Sequence, residues 1–172
     1  MAHQAQKAFF NRVKELYPHF FNKGIVLDFG SLDINGSLKD IFSADTLYRG
    51  IDIVAGKNVD FVSKAHEFTS NLVYPTIISG EMLEHDEYWR ESLLNMYNLC
   101  GVGGLIAISC AGKDRPEHGT RRTDGNEWGT GDYYKNLEPK DIMEVYKPDM
   151  FTDYYFEENT TAKDTYFYGI KK

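Results

Sequence analysis

Read for the spacing of its apolar positions, the chain alternates between two periods. Residues Ala5 to Phe21 place Phe9, Val13, Leu16, Tyr17 and Phe20 at helical spacing, with Lys7, Arg12, Lys14 and Glu15 between them. That spacing predicts an amphipathic helix closed near Pro18, because proline cannot donate to the helical ladder. GIVLDFG at 24–30 follows, an apolar run ended by an acid and a glycine. Such a run predicts a strand buried on both faces, as a parallel sheet requires. The remaining strands are predicted at LYRGIDIV (47–54), VDFV (59–62), PTIISG (75–80) and GGLIAISCAG (103–112). A short helix is predicted over Ser37 to Phe42. A longer one, from about Glu87 to Cys100, carries Trp89, Leu93, Met96 and Leu99 on one face. Strand and helix alternating in this way predict a doubly wound, mostly parallel α/β sheet.

The last third breaks that rhythm. After a predicted helix at Pro139 to Tyr146 come FTDYYFEE and DTYFYGIKK, joined through NTTAK. So short a link cannot hold a crossover helix, so these two runs are expected to pair as an antiparallel hairpin at the end of a seven-stranded sheet. A length of 172 residues suits one domain spanning 1–172. No repeat or low-complexity tract divides it.

Charge and composition exclude some classes. A formal charge of -7 argues against a general affinity for nucleic acid phosphates. No apolar stretch reaches the length of a membrane span, and no signal-peptide pattern opens the chain. Cys100 and Cys110 lack metal-ligand spacing and read as buried, reduced thiols. A cytoplasmic protein is therefore expected.

Three segments carry candidate chemistry. In VLDFGSLDINGS (26–37), a strand ends at Asp28 and Gly30 allows a sharp turn with a ligand pressed against the backbone. The turn lacks the full GxGxxG spacing of a dinucleotide site and the GK[ST] ending of a phosphate loop. Its acids, Asp28 and Asp33, would repel a pyrophosphate and suit a ligand bearing an ammonium and a sulfonium. Asp52, at the end of the second strand and about twenty residues beyond Gly30, can accept hydrogen bonds from both hydroxyls of a ribose. In SGEMLEHDEYW (79–89), Glu81, Glu84 and His85 crowd one loop. Metal ligation is one reading of that cluster. The sequence shows no second group of ligands, so no metal site is assigned.

Together these segments resemble the class I S-adenosylmethionine-dependent methyltransferases. That family shows an acid-x-Gly turn after strand one, an acid ending strand two and a glutamate-histidine motif after strand four. A Gly-Gly turn into strand five and a closing hairpin complete its pattern. The resemblance implies S-adenosylmethionine as cofactor. It places Asp28, Gly30, Ser31, Leu32 and Asp33 along the methionine part, and Asp52 with Ile53 at the ribose. Ala65 and His66 would meet the adenine, and Glu81 and Met82 would lie under the reacting sulfur. Two departures stand out. The usual glycine-rich turn keeps only Gly30 and Gly36, and Lys64 occupies the place where an acid often precedes the adenine contact.

Residues 111–137 form a long polar segment after strand five, with Lys113, Arg115, Arg121 and Arg122, five glycines, and the rings of Trp128, Tyr133 and Tyr134. Long loops without periodicity are functional or mobile. As a lid, this one would cover the acceptor, with His118 as its proton acceptor. The reading is a methyltransferase acting on oxygen or nitrogen of a small-molecule acceptor. It has no nucleic-acid or membrane partner, and a homodimer is allowed. A catalytically silent cofactor-binding module and an NAD-dependent oxidoreductase are the alternatives.

Overall fold

A computed structural model describes residues 4–126 and 128–172. Seven strands form one sheet: β1 (Gly24–Phe29), β2 (Thr46–Asp52), β3 (Phe61–Val62), β4 (Tyr74–Gly80), β5 (Cys100–Ala111), β6 (Phe151–Asn159) and β7 (Asp164–Lys171). Their order across the sheet is β3-β2-β1-β4-β5-β7-β6. Neighbours among β1 to β5 run parallel, and β7 is antiparallel to both β5 and β6. One reversed strand thus slots between two that point the same way. The predicted hairpin is present. Asn159 makes its turn, accepting at Oδ1 from the amides of Thr161 (3.1 Å) and Ala162 (2.9 Å).

The alternation along each central strand divides the core in two. Val26, Ile78, Leu105 and Ala107 face α1 (Gln4–Leu16), α2 (His19–Asn22) and a 3-10 turn at Leu38–Ile41. Leu27, Ile77, Ile106 and Ile108 face α3 (Trp89–Leu99) and α5 (Pro139–Val145). Trp89, Leu93, Met96 and Leu99 are all buried, as their spacing predicts. Each such side chain contributes about 1.5–3 kcal/mol on leaving water. Leu16 departs from expectation. It is the last residue of α1 and exposed, because the helix stops before Pro18, while Phe10 and Gln6 share the buried stripe with Phe9 and Val13.

Each strand end near the candidate site leads into a short connection. Only the 3-10 turn separates β1 from β2, and turns alone join β2 to β3 and β3 to β4. The β5–β6 connection carries α4 (Arg121–Asp124) and α5. No described helix is long and apolar enough to cross a membrane. Cys100 and Cys110 are both free and buried, and burial pushes the Cys100 thiol up to about 12.

Candidate active site at the carboxyl ends of the strands

The turn after β1 is built by hydrogen bonds to its neighbour strand. The amides of Gly30 and Ser31 both donate to Ile51 O, at 2.8 and 3.0 Å, folding the chain back over the end of β2. Gly30 has φ +83°, and a Cβ there would stand 2.5 Å from Met82 Cβ, so both backbone angle and space require glycine. Gly50 is constrained by space alone, since a Cβ would meet Asn58 O at 1.9 Å and Ser31 Oγ at 2.3 Å. Asp33 holds the turn together: Oδ1 accepts from Gly36 N at 2.8 Å and Oδ2 pairs with Lys57 Nζ at 2.6 Å. The Lys57 bond and the Gly36 amide keep its carboxyl below the ordinary carboxylate range.

Asp28 sits beneath this turn, buried. Tyr48 Oη donates to its Oδ2, while Oδ1 has no hydrogen-bond partner. Burial pushes its pKa up to about 7, against the lowering effect of the Tyr48 bond and with a further push from the charge of Asp52. Asp28, Gly30, Ser31, Leu32, Gln6 and Gly80 line a small cavity of about 20 Å³. That holds one water, not an amino-acid group. Gln6 limits the space: a Cβ on Gly80 would stand 2.2 Å from its Nε2.

Asp52 lies alongside, half-buried. Its Oδ2 accepts from Leu32 N (3.1 Å) and its Oδ1 from Val54 N (3.0 Å), which links the turns after β1 and β2. Burial raises its pKa, and these amides oppose the shift. Farther along, Ala65 is buried and His66 packs its ring on Tyr88 at 4.3 Å. Asn95 of α3 secures that segment by donating to Ala65 O (2.8 Å) and Phe68 O (2.9 Å).

After β4, Glu81 adopts φ +55° and donates its amide to Ser109 O at 2.9 Å. Ser109 Oγ lies 3.4 Å from Glu81 Oε1 and 2.8 Å from Gln6 Nε2. Beyond Met82, the 3-10 turn Leu83–His85 buries Glu84 completely, and neither carboxylate oxygen has a hydrogen-bond partner. His118 reaches this corner from the other segment, its Nε2 3.7 Å from Glu84 Oε1. The rings of His85, His118 and Tyr134 pack edge to face at 5.1–5.3 Å. Burial lifts the Glu84 carboxyl to about 7, drops His85 to about 4 and lowers His118, favouring the neutral form of both imidazoles.

The segment 111–137 is anchored at both ends, with Leu137 N donating to Ala111 O at 2.8 Å. Lys135 N donates to Glu84 O at 2.8 Å. Its tip crosses to β2, where a Cβ on Gly129 would stand 3.3 Å from Val54 Cγ2 and 3.5 Å from Ile53 Cδ1. The segment therefore arches across the strand ends. Two of its cations are paired: Arg115 with Asp164 of β7 at 2.6 Å, and Arg122 with Glu117 at 2.7 Å.

The fold thus brings Asp28, Gly30, Ser31 and Leu32 together, ties Asp52 to them through Leu32, and lays Met82 against Gly30. His118 stands apart, in a second cluster with Glu84 and His85. Tyr134 was among the rings of the 111–137 segment, but Gln6, Tyr48 and Asn95 were not singled out from the sequence as site residues. Only Gln6 carried a signal, being a polar residue on the apolar face of an amphipathic helix.

These strand ends, in this order, define the fold of the class I S-adenosylmethionine-dependent methyltransferases. The chain resembles the N-methyltransferase NodS from Bradyrhizobium japonicum WM9 in complex with S-adenosyl-l-homocysteine, with TM-score 0.64 and 12% identity over 96% of this chain and 87% of that one. It also resembles the magnesium protoporphyrin IX methyltransferase ChlM from Synechocystis PCC 6803, with TM-score 0.65 and 15% identity over 100% and 89%. A third is the 1,6-didemethyltoxoflavin-N1-methyltransferase of Burkholderia thailandensis, with TM-score 0.62 and 15% identity over 98% and 80%. No protein-family model and no curated protein matches the sequence.

Proposed function

We propose that this chain binds S-adenosylmethionine over the turn after β1 and catalyses methyl transfer to a small-molecule acceptor. The observation that carries the reading is Asp28. A buried carboxylate with one oxygen unpartnered, at the edge of a glycine-floored cavity, is costly unless a cation completes it. The cofactor's ammonium is such a cation. Asp52 has further lone pairs for ribose hydroxyls beside the two amides it holds. Ser31 and Leu32 line the same cavity, and Ile53, Ala65, His66, Glu81 and Met82 complete the expected contact surface. Asp33 acts within the turn, through Gly36 and Lys57.

The cavity as it stands takes one water, so binding requires the Gln6 side chain to swing off Gly80. When bound, S-adenosylmethionine supplies an already activated methyl group, and no covalent enzyme intermediate is needed. The chain's own work is to hold the acceptor, exclude water and receive its proton. In this reading the arch 111–137 serves the second and His118 the third. The methyltransferases of similar fold include ones whose named acceptors are small molecules, which supports that acceptor class here.

Calorimetry tests the reading. The protein should bind S-adenosylmethionine and S-adenosylhomocysteine but not NAD. Asp52→Ala should weaken binding by about 2–4 kcal/mol, roughly 30- to 1000-fold, the range for lost charge-assisted bonds. Asp52→Asn, which keeps one acceptor oxygen, should lose less. Equal affinities for all three proteins would remove Asp52 from the cofactor site.

A further inference from the structure

The Glu84 corner poses a problem that the cofactor does not solve. Glu84 is 0% exposed and neither of its oxygens has a hydrogen-bond partner. A buried carboxylate in that state is strongly destabilising unless something positive meets it. His118 Nε2 lies 3.7 Å from Glu84 Oε1, beyond hydrogen-bond reach. His118 Nδ1 lies 3.1 Å from Pro116 O and 3.3 Å from Tyr134 Oη. Donation from Nδ1 to that carbonyl leaves Nε2 as a bare lone pair aimed at a carboxylate oxygen. His85 brings a further ring nitrogen, and its buried Nδ1 has no partner. One donor atom from each of the three residues lies within 4.8 Å of the others.

We propose that Glu84, His85 and His118 bind a divalent transition-metal ion. Two histidines and one carboxylate suit an ion of intermediate softness, such as Zn²⁺, Co²⁺ or Fe²⁺, and leave coordination positions open. Donors about 2.1 Å from a common centre at tetrahedral to trigonal angles stand about 3.4–3.6 Å apart, close to the Glu84–His118 separation. The surroundings match what holds ligands in place. The Pro116 carbonyl orients His118, and Lys135 N fixes the Glu84 backbone. Gly119, at φ +66°, lets the loop close on His85, where a Cβ would stand 2.8 Å from Cε1. Arg115, whose charge is felt at Glu84, is already matched by Asp164. The sequence offered Glu84 and His85 without a second ligand group, and the fold supplies it from the far side of β5.

The role of the ion rests on the methyl-transfer reading, although the site does not. An open position next to the arch would hold an acceptor oxygen and ease loss of its proton, so His118 acts as a ligand and the ion takes over the activation first assigned to it.

The test uses the full chain after dialysis against a chelator, titrated with Co²⁺ and followed by visible absorption and calorimetry. One equivalent should bind, give ligand-field bands and be displaced by Zn²⁺. Glu84→Gln and His118→Ala should each weaken Co²⁺ by at least about 100-fold, since loss of a mere supporting partner already costs 10- to 100-fold. His19→Ala, at the exposed first residue of α2, should bind as the parent does. Glu84→Gln is isosteric and removes a buried charge, so it should fold, and circular dichroism verifies this. Absence of Co²⁺ and Zn²⁺ binding by the folded parent, or binding indifferent to both substitutions, overturns the site. S-adenosylmethionine titrated into the same metal-free sample keeps the two readings separate: retained cofactor binding without Co²⁺ binding sinks the metal site alone.

Discussion

Asp28→Asn should make the protein more stable at pH 8 while it loses S-adenosylmethionine. The Asp28 pKa is raised by burial from its ordinary 3.8 to about 7, so the folded state binds this proton more tightly than the unfolded chain does. A carboxyl raised in this way lowers stability as pH climbs from about 4 to about 7, and the loss levels off above that. Three pKa units correspond to about 4 kcal/mol as an upper estimate. Asparagine keeps an oxygen for Tyr48 and carries no charge. Its advantage should be largest at pH 8 and fall below about 1 kcal/mol near pH 4. Glu84, also raised by burial to about 7, leaves a residual pH dependence in both proteins. Urea unfolding at pH 4, 6 and 8 measures the difference, and parallel pH profiles would show that Asp28 is not the strained group. At pH 8 cofactor affinity should drop by at least about 30-fold, the loss of one charge-assisted contact. The substitution would thus trade binding for stability.

Replacing residues 113–136 by a short Gly-Ser link should abolish methyl transfer. The ends permit the closure, because Ala111 and Leu137 are already joined by a 2.8 Å backbone hydrogen bond. What is lost is the cover over the strand ends, together with His118 and Tyr134. Cofactor affinity should fall by only about 1 kcal/mol, the worth of the apolar contact between the tip at Gly129 and the Ile53–Val54 edge. His118→Ala alone should slow transfer by roughly 100-fold or more, as expected for losing activation of the acceptor, by the imidazole itself or by the ion it holds. Label transfer from the cofactor to a panel of hydroxyl and amine acceptors would record both. An unchanged rate in the shortened protein would move the acceptor site to the flank of α1.

Much of this architecture was legible in the chain because it rests on local physics. An apolar run between turn residues specifies a buried strand wherever it lies, and the 24–30, 75–80 and 103–112 runs all became one. The five residues linking the last two strands left no geometry but a hairpin. Asp28, Gly30 and Asp52 were readable as strand-end groups for a related reason: a glycine just past a buried strand marks a sharp backbone turn, and φ +83° at Gly30 is that turn. Even so, the local pattern misjudged Leu16, whose burial depended on where the helix axis runs out beside Pro18 and not on spacing.

The tertiary structure alone decided what these groups meet. No periodicity places β7 between β5 and β6, sets Gln6 over Gly80, or makes Tyr48 the partner of Asp28. His118 lies in a segment without period, and its position follows from the anchoring of that segment at Ala111, Glu84 and Leu137. Its approach to Glu84 is a contact between parts of the chain far apart in sequence, and such contacts depend on how whole elements pack. The sequence by itself determined which residues stand at the ends of strands. Packing decided that one buried carboxylate faces a cavity at β1 and another faces two histidines beyond β4, because desolvation and pairing act only once the chain has closed around them.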